Sequence, residues 1–89
     1  MILAKNLRFL RTEKGLTQTD LAEKLGVQRT MISAYEDGRS EPKLSALDII
    51  SELFAVSIDE LLHHDIQQFG RKASKNKEIK ILTIAADES

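Results

Sequence analysis

Gly15, Gly26 and Gly38 stand eleven and twelve positions apart and punctuate the first half of the chain. The pieces they mark off carry apolar residues at helical spacing, so the pattern calls for short helices joined by sharp corners. Ahead of Gly15, Leu3, Leu7 and Leu10 share one helical face while Lys5, Arg8 and Arg11 interleave, which predicts a first helix from Ile2 to Lys14. Thr17, followed three positions later by Asp20, is a variant of the capping box: the hydroxyl serves an unpaired backbone N–H and the carboxylate reaches back to the cap. A second helix therefore runs to Leu25, burying Leu21, Ala22 and Leu25. Gly26 interrupts it, because glycine lets the backbone turn without a side-chain clash. A third helix is expected from about Gln28 to Gly38, with Ile32 and Tyr35 turned inward.

The pattern continues helical beyond Gly38. Pro42 is expected in the first turn of a fourth helix, which runs through Phe54. Its predicted apolar face is Leu44, Leu47, Ile50 and Phe54, widened by Ile49 and Leu53. Ser57 and Glu60 repeat the capping-box spacing and open a short fifth helix through Leu61 and Leu62. The expected fold is all-α, a compact bundle of five short helices over residues 1–65. Residues 66–78 read as a polar, mostly basic linker, since Gly70 to Glu78 offers few apolar side chains. Within residues 79–89, Ile79, Ile81 and Leu82 to Ile84 form a β-branched, strand-like run. A lone strand leaves its backbone unpaired. This tail therefore opens a further domain, pairs between chains, or stays without structure.

Charge and composition narrow the functions open to such a bundle. Thirteen Lys and Arg residues against fourteen Asp and Glu give a net charge of −1. A nucleic-acid partner favours a basic chain, because cations displace counterions from the phosphates, so the total argues mildly against DNA. The distribution argues the other way. Asp48, Glu52, Asp59 and Glu60 lie late, whereas Arg29, Arg39 and Lys43 flank the third helix, and segregated charge can steer binding at near-zero net charge. The absence of cysteine removes disulfides and thiolate metal sites and suits a reducing cytoplasm. No apolar stretch approaches the roughly 20 residues of a membrane span, and Met1 to Lys5 shows no signal-peptide pattern. His63 and His64 are adjacent, so they diverge on a helix, and nothing nearby completes a metal set. No nucleophile–base grouping, phosphate-cradling loop or carboxylate pair stands out. A non-enzymatic, cytoplasmic chain without cofactor or membrane partner is expected.

The informative stretch is Leu16 to Gly38, LTQTDLAEKLGVQRTMISAYEDG. Two short helices about a glycine corner make the helix-turn-helix arrangement, with small Ala22 at the close approach and Val27 and Ile32 packing the third helix on the second. Any helical hairpin with a glycine corner would show the same spacing. From Asn6 to Leu62, nearly two-thirds of the chain, the sequence resembles the Cro/CI-type (XRE) helix-turn-helix regulators of lambdoid phages. The matching features are Leu7, Arg11, LTQ at Leu16 to Gln18, LAEKLGV at Leu21 to Val27, Ile32-Ser33, EDG at Glu36 to Gly38 and SIDELL at Ser57 to Leu62.

That resemblance implies a third helix lying in the major groove of double-stranded DNA, its N-terminal residues foremost. Gln28, Arg29, Thr30, Ser33 and Ala34 then form the base-reading face. An Arg29 guanidinium can donate twice to guanine O6 and N7, worth about 1–3 kcal/mol of discrimination; its other use is to grip a phosphate. Thr30 can meet a thymine methyl or a base edge, while Ala34 offers only a methyl where similar proteins carry a polar reader. Gln18, at the start of the second helix, is implied to bind a phosphate, the plainer use being an exposed amide beside its cap. Arg39, Ser40 and Lys43 are placed to touch the same strand farther along. Arg11 and Glu36 are implied to form a partly buried ion pair between the first and third helices.

The expected activity is operator binding by a homodimeric transcriptional regulator, a repressor, on two matched half-sites. The tail weakly resembles the linker and first strand of a LexA-like C-terminal domain, which would lie beyond Ser89. The alternative activity is a protein-interaction or antitoxin module with weak DNA binding, which the near-neutral charge keeps open.

Overall fold

The computed structural model of the chain describes residues 2–70, and these form six helices. They are α1 (Ile2–Glu13), α2 (Gln18–Leu25), α3 (Arg29–Asp37), α4 (Leu44–Phe54), α5 (Ile58–His63) and α6 (Ile66–Phe69). Both capping boxes form. Thr17 Oγ1 accepts from the Asp20 N–H at 3.0 Å while Asp20 accepts from the Thr17 N–H at 2.9 Å. Ser57 and Glu60 repeat the exchange at 3.0 and 2.9 Å. The bonds from Thr17 hold the Asp20 carboxyl below its ordinary range, outweighing what little desolvation raises it.

The corner between α2 and α3 follows from Gly26, which adopts φ 69°, ψ 31° and lets the Val27 N–H reach back to the Ala22 carbonyl at 3.0 Å. A left-handed backbone of this kind is cheap for glycine and costs other residues about 1–2 kcal/mol. Val27 then packs, half-buried, against the core. The centre is filled by Leu7 and Leu10 from α1, Leu21 from α2, Ile32 from α3, Ile50 from α4 and Leu61 from α5, all inaccessible to solvent. α2 and α3 pack directly on one another, and α1 spans the back of both α3 and α5.

Three details differ from the sequence pattern. The first is a sixth helix. Helical structure continues past Asp65, whose side chain caps α6 by accepting from the Gln68 N–H at 3.2 Å. Ile66, in the stretch read as linker, is buried. The anchor is Asn6, a fully buried amide on α1: its Nδ2 donates to the carbonyls of Leu61 at 2.9 Å and His64 at 2.7 Å, and its Oδ1 accepts from the Ile66 N–H at 3.1 Å. The second is the start of α4. Lys43 is the N-cap, so Pro42 stands one residue ahead of the cap, outside the helix, and packs, buried, against the body. The third follows from the second. Leu44 opens the helix on its outer side and is 73% exposed; Ile49 is also exposed, and Ala46 takes its place in the core. The remainder of the stretch read as linker, beyond Gly70, and residues 79–89, read as strand-like, lie outside the described residues.

Candidate nucleic-acid interface

Of the five residues on α3 and its N-cap that the resemblance implies are displayed, three are exposed. Gln28 is that N-cap, in extended backbone, and makes no side-chain cap bond, so its amide is left to the surface. Gln28, Arg29 and Thr30 are exposed, whereas Ser33 and Ala34, one turn on, are half-buried. Ile32 and Tyr35 hold the opposite side of the helix in the core. The far end is closed by Gly38, at φ 77°, with the Arg39 N–H returning to the Ala34 carbonyl at 2.9 Å. A nine-residue helix fixed at both its corners and along one side behaves as a rigid support for its front residues.

Behind this row lies a chain of four polar side chains. Arg11 of α1 meets Glu36 of α3 through two bonds, Nε to Oε2 at 2.6 Å and an Nη to Oε1 at 3.1 Å, with only 12% and 3% of the two side chains exposed. Arg11 also donates to the Leu16 carbonyl at 2.8 Å, so its planar head joins three segments. The Glu36 Oε1 atom accepts a further bond from Gln18 Nε2 at 3.2 Å. Gln18 Oε1 in turn accepts from an Arg29 Nη at 3.1 Å. The first residues of α2 and α3 are thereby joined, and the Arg29 guanidinium is tied at one nitrogen while its others stay exposed.

Each site residue named from the sequence has a definite place in this arrangement. Arg11 and Glu36 come together as an ion pair. Gln18 is half-buried rather than simply displayed: its carbonyl is taken by Arg29 and one amide hydrogen by Glu36, leaving one hydrogen to donate outward. Arg39 is exposed and folds over Asp37, with bonds at 3.0 and 3.3 Å. Ser40 is half-buried, its N–H directed to the Ala34 carbonyl at 3.3 Å, and Lys43 is exposed at the head of α4. Sequence reasoning missed two features. One is the Gln18–Arg29 bond, eleven residues apart, for which no pattern exists. The other is Met31, 41% exposed on the same helix, which its helical angle could have revealed. No group of three His, Cys, Asp or Glu side chains suited to a metal occurs among the described residues, and no described helix is long and apolar enough to cross a membrane.

A glycine corner, two short helices packed through small and branched residues, and an outward polar row define a helix-turn-helix domain. A family model, helix-turn-helix, matches residues 7–61, and the chain belongs to that family, in its Cro/CI (XRE) branch. The transcriptional activator BcrR of Enterococcus faecalis is 52% identical over 58 residues, which is 65% of this chain and 28% of that protein. The regulator ImmR of Bacillus subtilis strain 168 is 34% identical over 89 residues, 100% of this chain and 65% of that protein. The chain thus spans less than two-thirds of the length of either. Among solved structures, the P22 c2 repressor in complex with synthetic operator 9T superimposes with a TM-score of 0.68 at 28% identity, covering 73% of this chain and 98% of that one.

Proposed function

We propose that this chain binds double-stranded DNA sequence-specifically as the reading domain of a cytoplasmic transcriptional repressor. In this reading α3 lies in the major groove, and two copies occupy the two half-sites of an operator. The observation that carries it is the exposed row Gln28, Arg29 and Thr30 at the front of a rigid α3, on a fold shared with a repressor crystallised on an operator. Arg29 presents its free nitrogens to guanine O6 and N7, and the Thr30 methyl packs on thymine. Gln18 spends its remaining amide hydrogen on a phosphate. The Gln18 and Thr19 N–H groups at the start of α2, which have no partner inside the helix, support it there. Arg39, Ser40 and Lys43 continue along the same backbone. These contacts position the domain, and α3 specifies the sequence.

Near-neutral overall charge makes one copy a modest binder. Two copies whose half-sites stand one helical turn apart, about 34–36 Å, combine modest contacts into a specific one. The test is selection of binding sites from a random DNA pool, followed by titration of the recovered duplex at several salt concentrations. The expected result is a repeated half-site containing guanine, affinity that falls steeply with salt, and an R29A variant that loses the guanine preference with about 1–3 kcal/mol of binding. A pool that yields no enriched sequence at low ionic strength would overturn the proposal.

A further inference from the structure

The outward face of α3 has two different edges. With about 100° between successive residues of a helix, Arg29 and Ser33 fall along one side of the exposed arc, and Thr30 and Ala34 occupy its middle. Met31 falls on the far side, roughly 160° from Arg29. The Arg29 edge is polar and is braced by Gln18. The Met31 edge is apolar and borders a groove of about 230 Å³ between α3 and α4, whose walls include Val27, Tyr35 and Ile49, with Lys43 at its rim.

Burial does not account for Met31. The residue is 41% exposed, although Leu25 and Val27 in the same groove are buried or half-buried. It belongs to the first turn of α3, level with Arg29 and Thr30, and the turn is fixed by the bond from the Met31 N–H to the Gln28 carbonyl at 2.9 Å. A rigid backbone thus presents a flexible, polarizable thioether on the same leading end as the polar readers. Such a side chain adapts to an apolar surface of irregular shape.

We infer that Met31 is a further specificity-determining residue, reading the 5-methyl group of a thymine on the side of the major groove opposite the base met by Arg29. The inference rests on the DNA-binding reading above. Thymine is the base that offers an apolar group in that groove, and a bare methyl has no hydrogen bond for a polar side chain to make. Lys43, an exposed cation, lines the same groove. The groove is continuous with the proposed reading face, so the duplex itself is its occupant. The helix therefore carries a hydrogen-bond reader on one edge and a methyl reader on the other.

The experiment replaces thymine by deoxyuridine, one position at a time, in the operator recovered from the random pool. This deletes one methyl and leaves base pairing intact. Wild-type protein should lose about fourfold in affinity at one thymine per half-site, the equivalent of one buried methyl group. The M31A variant should bind the thymine duplex correspondingly more weakly, and should show no further loss on the uracil duplex. M31L, which keeps an apolar side chain, should retain most of the thymine preference. Melting curves of both variants separate altered reading from altered folding. An M31A protein that binds normally, or one that still discriminates thymine from uracil at every position, would overturn the inference. If R29A loses its guanine preference in the same assays, such a result leaves the DNA-binding reading standing; if the wild type binds no duplex, both fall.

Discussion

The two ends of α1 are fastened by the same kinds of group under opposite exposure to solvent. Toward its C-terminal end, Arg11 holds Glu36 through two nearly dry bonds. Toward its N-terminal end, Lys5 holds Asp65 through one bond at 2.8 Å, with 48% and 18% of the two side chains exposed. Water screens the second pair, and holding a long lysine side chain still costs entropy, so it contributes little. The first pair is short, planar and desolvated, and losing either partner strands a buried charge. The wet end is not weak, however, because a neutral group does the holding there. Asn6 makes its bonds to α5 and α6 without any charge to desolvate. Where charge is buried, the fold gains a link to α3; where it is exposed, an amide carries the join.

Breaking the dry end should produce the largest effect. Glu36→Ala leaves the Arg11 guanidinium buried without its carboxylate, an expected loss of about 3–5 kcal/mol that denaturant unfolding would measure directly. It also removes an anchor of Gln18, so residual DNA affinity should fall even at temperatures where the variant is folded. Unchanged stability would mean that Arg11 is satisfied by the Leu16 carbonyl and solvent alone. Next in size is Asn6→Ala, which orphans the Ile66 N–H and the His64 carbonyl together, at about 2–3 kcal/mol. Hydrogen exchange should show the Ile66 amide losing protection ahead of α3. Equal loss across the domain would mean that the two ends are not separable.

The smallest effect is expected at the exposed pair, and pH sharpens it. The bond from Lys5 holds the folded Asp65 carboxyl below its ordinary value, so the folded state binds this proton less readily than the unfolded chain. The pair's contribution is therefore complete above the usual carboxylate range and is lost as pH falls through the lowered value. Thermal unfolding of Asp65→Asn should match wild type in acid and fall slightly below it at neutral pH, with the gap closing at high salt. A gap that persists in concentrated salt would assign the effect to the Asp65 cap on Gln68 instead of to the ion pair.

Much of the architecture was legible because it is local. The capping boxes at Thr17 and Ser57 and the corner at Gly26 involve residues a few positions apart, and each has a single cheap way to satisfy its backbone. What stayed hidden depends on distant partners. α6 has four residues, IQQF, too few to show a period, and it exists because Asn6, sixty positions earlier, accepts the Ile66 N–H. Asn6 itself sits among alternating basic and apolar residues of α1 and looks like any surface amide. Leu44 misled for another reason: an apolar residue at the first position of a helix has no preceding turn to lean on, so spacing alone placed it inward. Within the candidate site, the exposure of Gln28, Arg29 and Thr30, though not of Ser33 and Ala34, and the Arg11–Glu36 pair were anticipated through the resemblance to known regulators. The bond joining Gln18 to Arg29 was not, since it depends on how two helix starts meet in space.

Because one amide on the first helix stitches the fifth to the sixth, the domain is closed on itself like a strap through a buckle. Neither extremity can fray on its own: peeling away Ile66 exposes the Asn6 oxygen, and lifting α1 strips the carbonyls at the end of α5. Opening events that begin at α1 or α6 are thereby merged with global unfolding. A small helical domain gains cooperativity that its core alone would not supply.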